Sequence, residues 1–140
     1  MTVRPILSIG HPTLRAVAEE IPVEAIHEQE MQLLRLLRDG LAEIPGVILH
    51  CQEDLTDHIA VLAFNVEGMD AGDVGTLIDV DHDIACRTGL HCAPLVHEGL
   101  GTDAVRGAVR FSMGPFNTED HIQTAIEAVK EIAEFSQRQA

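Results

Sequence analysis

Aromatic residues are scarce in this sequence of 140 residues. It contains no Trp and no Tyr, and four Phe make up the whole aromatic set. Aliphatic side chains must therefore fill the core, and no indole or phenol ring is available to stack on a flat cofactor or on unpaired bases. The scarcity argues against a self-contained site for either kind of ligand.

Basic residues are also few. Nine Lys and Arg stand against 23 Asp and Glu, which gives a formal net charge of −14. A surface of this sign repels phosphate backbones and anionic lipid headgroups. We therefore expect neither nucleic acid nor membrane as a partner.

Long apolar stretches and dense cysteines are missing as well. No apolar run of 18 residues and no basic-then-apolar leader occurs, so the sequence predicts neither a membrane span nor a secretory signal and favours a cytoplasmic location. Cys51, Cys86 and Cys92 are an odd number at wide spacing, which is typical of reduced thiols rather than of a disulfide framework.

The first residues differ from the rest of the chain. Residues 1–23 read as a leader segment, with a short apolar run broken by Gly10 and Pro12, and residues 24–140 as one domain. The leader weakly resembles the N-terminus of peptide deformylases. His27-Glu28 begins like the H-E-x-x-H metal motif of those enzymes but lacks its second His, so no deformylase residue is carried over.

Hydrophobic periodicity and turn residues predict an alternation of helices and strands. The predicted helices cover Glu24–Glu43, Asp70–Val80, Pro94–Leu100 and Thr118–Gln137, and the predicted strands cover Val47–Cys51, Ile59–Asn65, Ile84–Arg87 and Ala108–Met113. We expect the first two strands to pair in antiparallel fashion. This order predicts an α+β fold in which helices cover a small, largely antiparallel sheet.

The segment Arg-Thr-Gly-Leu-His-Cys-Ala-Pro, residues 87–94, places Cys92 on a short loop. Gly89 allows unusual backbone angles and Pro94 fixes the far end, while His91 and Arg87 supply neighbouring groups that favour a thiolate. The alternative is that Cys92 is a small buried hydrophobe, as most free cysteines are. We adopt that simpler interpretation for Cys51 and Cys86.

Arg110 lies in the second motif, Val-Arg-Phe-Ser-Met-Gly-Pro-Phe-Asn-Thr. A guanidinium on such a strand can hold a carboxylate by two parallel hydrogen bonds. From about Ile26 to the C-terminus, the two motifs together resemble the C-terminal small domain of cysteine desulfurases and selenocysteine lyases. These are class V aminotransferase-like enzymes that use pyridoxal phosphate (PLP).

The resemblance implies a fold like the C-terminal domain of fold-type I PLP enzymes. It implies that Cys92 is the persulfide-forming cysteine and that Arg110 holds the α-carboxylate of the substrate. Arg87, His91 and Asn117 are further substrate-binding candidates. For Arg87 the alternative is an ion pair with one of the many carboxylates. The loop departs from the commoner His-Cys-Ala-Gln-Pro form by lacking the Gln.

The cofactor machinery of that family is missing from this sequence. The family holds PLP on a lysine and its phosphate in a large domain, whereas Lys130 is the one lysine here and there is no G-x-G-x-x-G or P-loop. In the family reaction, the cysteine removes sulfur from substrate cysteine as a persulfide and alanine leaves. We therefore expect the chain to hold no cofactor and to be inactive alone.

Two other functions remain open. The chain could be a non-catalytic interaction or dimerisation module, or one half of a split enzyme whose PLP-binding large domain is another chain, with a sulfur acceptor protein as a further partner. We expect a homodimer, with the helix Ile26–Leu41 as the contact surface, because its apolar positions exceed a single-sided stripe. Alternatively, Ile6, Leu7 and Leu14 fold back over this helix. The choice between cysteine and selenocysteine as substrate stays open.

Several potential metal ligands lie between residues 81 and 97. They have neither C-x2-C nor H-x3-H spacing, and extended alternation over residues 81–83 would point neighbours in opposite directions. We therefore expect no zinc site. The candidates were Asp81, His82, Asp83, Cys86, His91, Cys92 and His97.

Overall fold

The computed structural model describes residues 22–52, 54–55 and 57–139. The predicted leader lies outside this part except for its last two residues, and so does the proposed packing of Ile6, Leu7 and Leu14. Helices and strands alternate along the described residues. They are α1 (Val23–Ala42), β1 (Val47–His50), β2 (Val61–Val66), α2 (Ala71–His82), β3 (Arg87–Gly89), α3 (Pro94–Leu100), β4 (Ala108–Ser112) and α4 (Glu119–Gln139).

The four strands form one sheet in the order β1-β2-β4-β3, and every neighbouring pair is antiparallel. The predicted α+β fold with a small antiparallel sheet is confirmed, including the pairing of the first two strands. None of the helices in the described part is both long and apolar enough to cross a membrane.

Helices α1, α2 and α4 cover one face of the sheet. Leu62, Phe64 and Val66 alternate along β2 and are buried, and on β4 Val109 pairs with Phe64 while Phe111 pairs with Leu62. Alternate residues of a strand point to the same face. These side chains form one core with the helices, in which the rings of Phe64 and Phe111 lie 5.3 Å apart.

Helix α1 does not present the bare apolar surface that the sequence predicted. Its apolar stripe, Met31, Leu33, Leu34, Leu37 and Leu41, is buried in the core, where α1 packs against α4 and β1. The choice of this helix as a dimer surface is therefore wrong, because its excess of apolar positions serves contacts within the chain. The homodimer itself stays a prediction.

The third strand lies three residues later than predicted, at Arg87–Gly89 instead of Ile84–Arg87. Helix α2 continues through residues 81 and 82, so the extended alternation assumed there is wrong. Asp83 has a φ of 54° and its N–H bonds the carbonyl oxygens of Ile78 and Asp79, which ends the helix. The next residues pack Ile84 against the core, and pairing with β4 begins at Arg87.

Two glycines of α2 give a matched test of its packing. A Cβ at Gly75 would lie 2.2 Å from Thr88 Cγ2 on β3, whereas a Cβ at Gly72 would have nothing within 4 Å. We expect Gly75→Ala to lower the free energy of unfolding by about 1–3 kcal/mol through overpacking. Gly72→Ala should raise it by up to about 1 kcal/mol through helix propensity. Urea denaturation measures both, and equal effects of the two substitutions would contradict the packing of α2 on β3.

Candidate functional site

The sheet face opposite α1, α2 and α4 carries a row of three polar side chains and one alanine. The register pairs Arg87 with Arg110, Arg110 with Ala63, and Ala63 with His50, so these four residues share one face across all four strands. Neighbouring strands lie about 4.8 Å apart. The row therefore places two arginines side by side at one end and a histidine at the other.

Arg87 and Arg110 are directly opposed like charges, an arrangement that destabilises a sheet unless something compensates. The ion pairs of the described residues join Arg38 with Asp39, His82 with Glu131, and Arg106 with Asp70. Neither arginine of the row takes part in them. In a chain with 23 acidic residues, two adjacent guanidinium groups without a carboxylate indicate a place for an anionic group from outside the described residues.

Cys92 lies on a tight turn that follows β3. The N–H of Ala93 donates to the carbonyl oxygen of Leu90 at 2.8 Å, which closes a turn with His91 and Cys92 at its centre. Their φ angles are 49° and 60°. Positive φ at both central residues defines the type I′ class, and it costs about 1–2 kcal/mol for each residue that is not glycine. The turn thus holds an exposed thiol in a strained backbone, as functional sites often do.

His91 is anchored to the neighbouring strand. Its Nε2 lies 3.1 Å from the carbonyl oxygen of Ala108. A carbonyl only accepts, so Nε2 carries the proton and Nδ1 of the neutral ring is an acceptor. Burial lowers the pKa of His91, the hydrogen bond to Ala108 raises it, and the charges of Arg110, His97 and Arg87 lower it further. The lowered pKa favours the neutral ring at neutral pH.

Two buried side-chain atoms of the described residues lack a hydrogen-bond partner: His91 Nδ1 and Arg110 Nε. One is an acceptor and the other a donor. An unpaired buried polar group costs about 1–3 kcal/mol, so such atoms are usually matched by a ligand or by water. Both belong to residues that the sequence analysis selected for substrate binding.

The other two thiols lie in less reactive surroundings. Burial raises the pKa of Cys51, and the charge of Arg38 opposes this in part. Burial and then the charge of Asp79 raise the pKa of Cys86, whose Sγ lies 3.9 Å from the carbonyl oxygen of Gly75. Both side chains are half-buried against the core, whereas Cys92 is exposed. The contrast favours Cys92 as the nucleophile.

Asn117 is placed apart from the arginine row. Its Oδ1 accepts a hydrogen bond from the N–H of Gly114 at 2.8 Å, and it lines a cavity with Phe111, which faces the helix layer. The structure gives Asn117 a turn-closing contact, and its substrate contact stays a prediction. Thr118 and His121 bond each other's backbone N–H at 3.4 and 3.3 Å, so Thr118 caps α4 as a Ser or Thr does in a capping box.

Three residues near the turn were not recognised as parts of the site. Asn65, His97 and Thr102 are polar and buried, with exposed fractions of 4%, 4% and 6%. The sequence marks His97 only as a potential metal ligand, and Asn65 and Thr102 carry no motif. Their position became visible only through the β2–β4 pairing and the seating of α3, which bring together residues far apart in the chain.

The residues present do not fit a PLP site. Lys130 is exposed on α4 and lines a cavity with Gly40, Ile44 and Glu134 in the helix layer. The arginine row and Cys92 lie on the other side of the sheet, so this amine cannot serve them. Among the described residues, no three His, Cys, Asp or Glu side chains converge as metal ligands.

Sequence comparison identifies a family and several relatives of this chain. The model of the family described as aminotransferase class-V matches residues 6–124. The chain is 32% identical over 117 residues to a probable cysteine desulfurase of Synechocystis, and this match covers 83% of this chain and 27% of that protein. It is 31% identical over 113 residues to a probable cysteine desulfurase of Methanothermobacter thermautotrophicus, with 81% and 28% covered. The match begins inside the predicted leader, so the domain boundary at residue 23 stays a prediction.

Solved structures show the same likeness. The apo cysteine desulfurase of Thermococcus onnurineus superposes with a TM-score of 0.73 at 32% identity, covering 80% of this chain and 27% of that one. The cysteine desulfurase CsdA of Escherichia coli, solved as an S-sulfonic acid, gives a TM-score of 0.68 at 28% identity, covering 83% and 27%. The chain therefore spans about a quarter of the length of these relatives.

Proposed function

We propose, from the premise that this chain belongs to the class V aminotransferase family, that it acts as the sulfur-accepting small domain of a cysteine desulfurase-like enzyme. In this proposal Cys92 receives sulfur as a persulfide, Arg110 and Arg87 hold the carboxylate of an amino-acid substrate, and His91 contacts its ammonium group. Probable cysteine desulfurases that are 31% and 32% identical to this chain support the general function.

The pair of unpartnered buried atoms carries the proposal. An amino acid presents a carboxylate, which accepts hydrogen bonds, and an ammonium group, which donates them. Arg110 Nε is a donor without an acceptor, and His91 Nδ1 is an acceptor without a donor. Both atoms lie near the turn that carries Cys92. Cys92 has a positive φ in this turn and is exposed to solvent. One zwitterion could therefore satisfy both atoms beside the thiol.

The sulfur step follows ordinary thiol exchange. The Cys92 thiolate attacks the outer sulfur of a donor R–S–SH, a new S–S bond forms on Cys92, and the old S–S bond breaks to release R–S⁻. Sulfur and electrons balance without an added oxidant. The exposed turn lets the product persulfide reach an acceptor protein, and solvent access is a requirement of any such thiol.

Lys130 lies on the helix side of the sheet, away from the arginine row. We therefore propose a PLP-binding large domain as the complement of this site, whether it belongs to the same polypeptide or to a partner. Alone, the chain would accept sulfur from a persulfide but would not release it from cysteine.

A second candidate function is the interaction module. It is favoured by the apolar side chains around α3, since Leu90, Leu95, Val96 and Leu100 are all at least 42% exposed. Exposed apolar groups at such density often mark a contact surface. The persulfide experiment separates the two candidates, because a pure interaction module has no reason to select among sulfur donors.

The test compares three persulfides of similar size: cysteine persulfide, cysteamine persulfide without a carboxylate, and 3-mercaptopropionate persulfide without an ammonium group. We expect the rate of the 32 Da gain on Cys92, followed by mass spectrometry, to be about tenfold higher for cysteine persulfide, since a charge-assisted hydrogen bond contributes about 1.5 kcal/mol or more.

Two substitutions serve as controls for this selectivity. Arg110→Lys keeps the charge but loses the planar fork, so it should reduce the preference for donors with a carboxylate. Arg106→Lys changes an exposed arginine that pairs with Asp70 and should preserve the preference. Equal rates for all three donors on the unmodified chain would refute the proposed amino-acid site and favour the interaction module.

A further inference from the structure

A chain of buried and half-buried hydrogen bonds leads from β1 to α3, the helix that follows the Cys92 turn. His50 Nε2 donates to Asn65 Oδ1 at 2.7 Å, because Asn65 Nδ2 is committed to the carbonyl oxygen of Gly107 at 2.9 Å. The N–H of Gly107 donates to the carbonyl oxygen of Thr102 at 2.8 Å. Thr102 Oγ1 in turn lies 2.7 Å from His97 Nδ1. The network thus joins β1, β2, the β4 entry and α3.

This network ends against His91. The ring of His97 lies 5.9 Å from the ring of His91, centroid to centroid, and His97 is only 4% exposed. The N–H of Thr102 also bonds the carbonyl oxygen of His97 at 3.0 Å, so the two residues are tied through backbone and side chain. A buried ring that is hydrogen-bonded to a residue fixed to its own backbone has little freedom to turn, and networks of this kind fix one side-chain arrangement.

We infer that His97 is a positioning residue. Thr102 holds its ring, and this ring fixes the orientation of the His91 ring. The direction in which His91 Nδ1 and the Cys92 turn face is set in this way. Supporting residues that orient a site in this way are common around reactive side chains. That this orientation presents Cys92 to a substrate rests on the proposed function. The orientation itself is inferred from the contacts of His97 with Thr102 and His91.

The charged groups around His91 come from three elements. Arg87 on β3, Arg110 on β4 and His97 on α3 all act on its ring. The two arginines are anchored in the sheet, with Arg110 the larger of the charge effects, whereas His97 is the neighbour whose ring packs beside that of His91. Without it, His91 would be more open to water and would lose one of the charges that lower its pKa.

The experiment reads the ring of His91 directly. Long-range proton–nitrogen spectra of the full chain give its tautomer and its titration midpoint in four variants. Thr102→Val removes the hydroxyl at constant shape, Thr102→Ser restores it, and His97→Asn keeps an amide near the Nδ1 position while removing the ring. His27→Asn, exposed on α1, is the matched control. Thermal unfolding confirms that each variant is folded.

We expect the unmodified chain, Thr102→Ser and His27→Asn to show the Nε2-protonated tautomer. Thr102→Val and His97→Asn should both show a mixture of tautomers and a loss of donor selectivity at Cys92. In His97→Asn the His91 midpoint should also shift upward, because a charge that lowers it is removed. Unchanged His91 spectra in folded His97→Asn, or equal shifts in the control, would overturn the inference. A chain whose spectra respond as expected but whose Cys92 accepts no persulfide would overturn the proposed function alone.

Discussion

Brief treatment with limiting iodoacetamide at neutral pH is expected to label Cys92 at least about tenfold faster than Cys51 or Cys86, because the thiolate is the reacting form and buried thiols hold little of it. Cys92 is exposed on its turn, whereas burial raises the pKa of both other thiols. Peptide mapping by mass spectrometry after a short time course measures the three rates separately.

Two variants make this result specific. Cys92→Ser should abolish the fast phase and leave slow labelling of the other two thiols. Cys51→Ser, which removes a half-buried thiol, should keep the fast phase. A fast phase that persists in Cys92→Ser would show that the reactive thiol lies elsewhere and would remove the basis of the sulfur-accepting role.

Among the glycine substitutions, Gly107→Ala should lower the free energy of unfolding most. Gly107 has a φ of 99°, and a Cβ there would lie 2.2 Å from the carbonyl oxygen of Gly89 and 2.9 Å from the N atom of Leu90. These are backbone atoms of the strand that precedes the Cys92 turn, so no flexible side chain can yield. We expect a loss of about 3 kcal/mol or more from strain and overpacking together, out of about 5–15 kcal/mol for a typical domain.

Gly99→Ala is the matched control. Gly99 lies inside α3, where a Cβ would meet nothing within 4 Å. This change should be neutral or stabilising by up to about 1 kcal/mol. Urea denaturation gives both free energies of unfolding, and accelerated labelling of Cys86 in Gly107→Ala would report loosening of β3. Equal stability of the two variants would contradict the close approach of Gly107 to Gly89.

The sequence predicted elements well where their own residues decide them. Helix α4 was predicted at Thr118–Gln137 and lies at Glu119–Gln139, since a capping threonine and an apolar stripe are both local signals. Strand β3 was misplaced because its position depends on where pairing with β4 begins, which no local signal records. The same limit explains α1, whose apolar surplus is matched by α4 about a hundred residues later.

In the candidate site, too, the residues within local motifs were predicted, whereas those placed by contacts between distant segments were not. Cys92, His91, Arg87 and Arg110 were selected from two motifs, and the register brings the two arginines face to face. Asn117 belongs to the same motif as Arg110 yet lines a cavity beside the helix layer, because the chain turns at residues 114–117 after β4. No sequence pattern predicted buried residues such as Thr102, because the role of a threonine in a hydrogen-bond network depends on partners that are distant in the chain.

The central strands of the sheet meet late along the chain. Asn65 on β2 and Gly107, just before β4, are 42 residues apart and are joined by a hydrogen bond. Between them lie α2, β3 and α3. Closing so large a loop costs conformational entropy before the contacts between the strands form and compensate for it. Pairings between strands that are distant in the sequence therefore slow folding. Within the part of the chain that the structure describes, strand β3 pairs only with β4, so the turn after it acquires its shape after this closure. A nascent chain therefore carries Cys92 as an ordinary flexible thiol until β4 has docked.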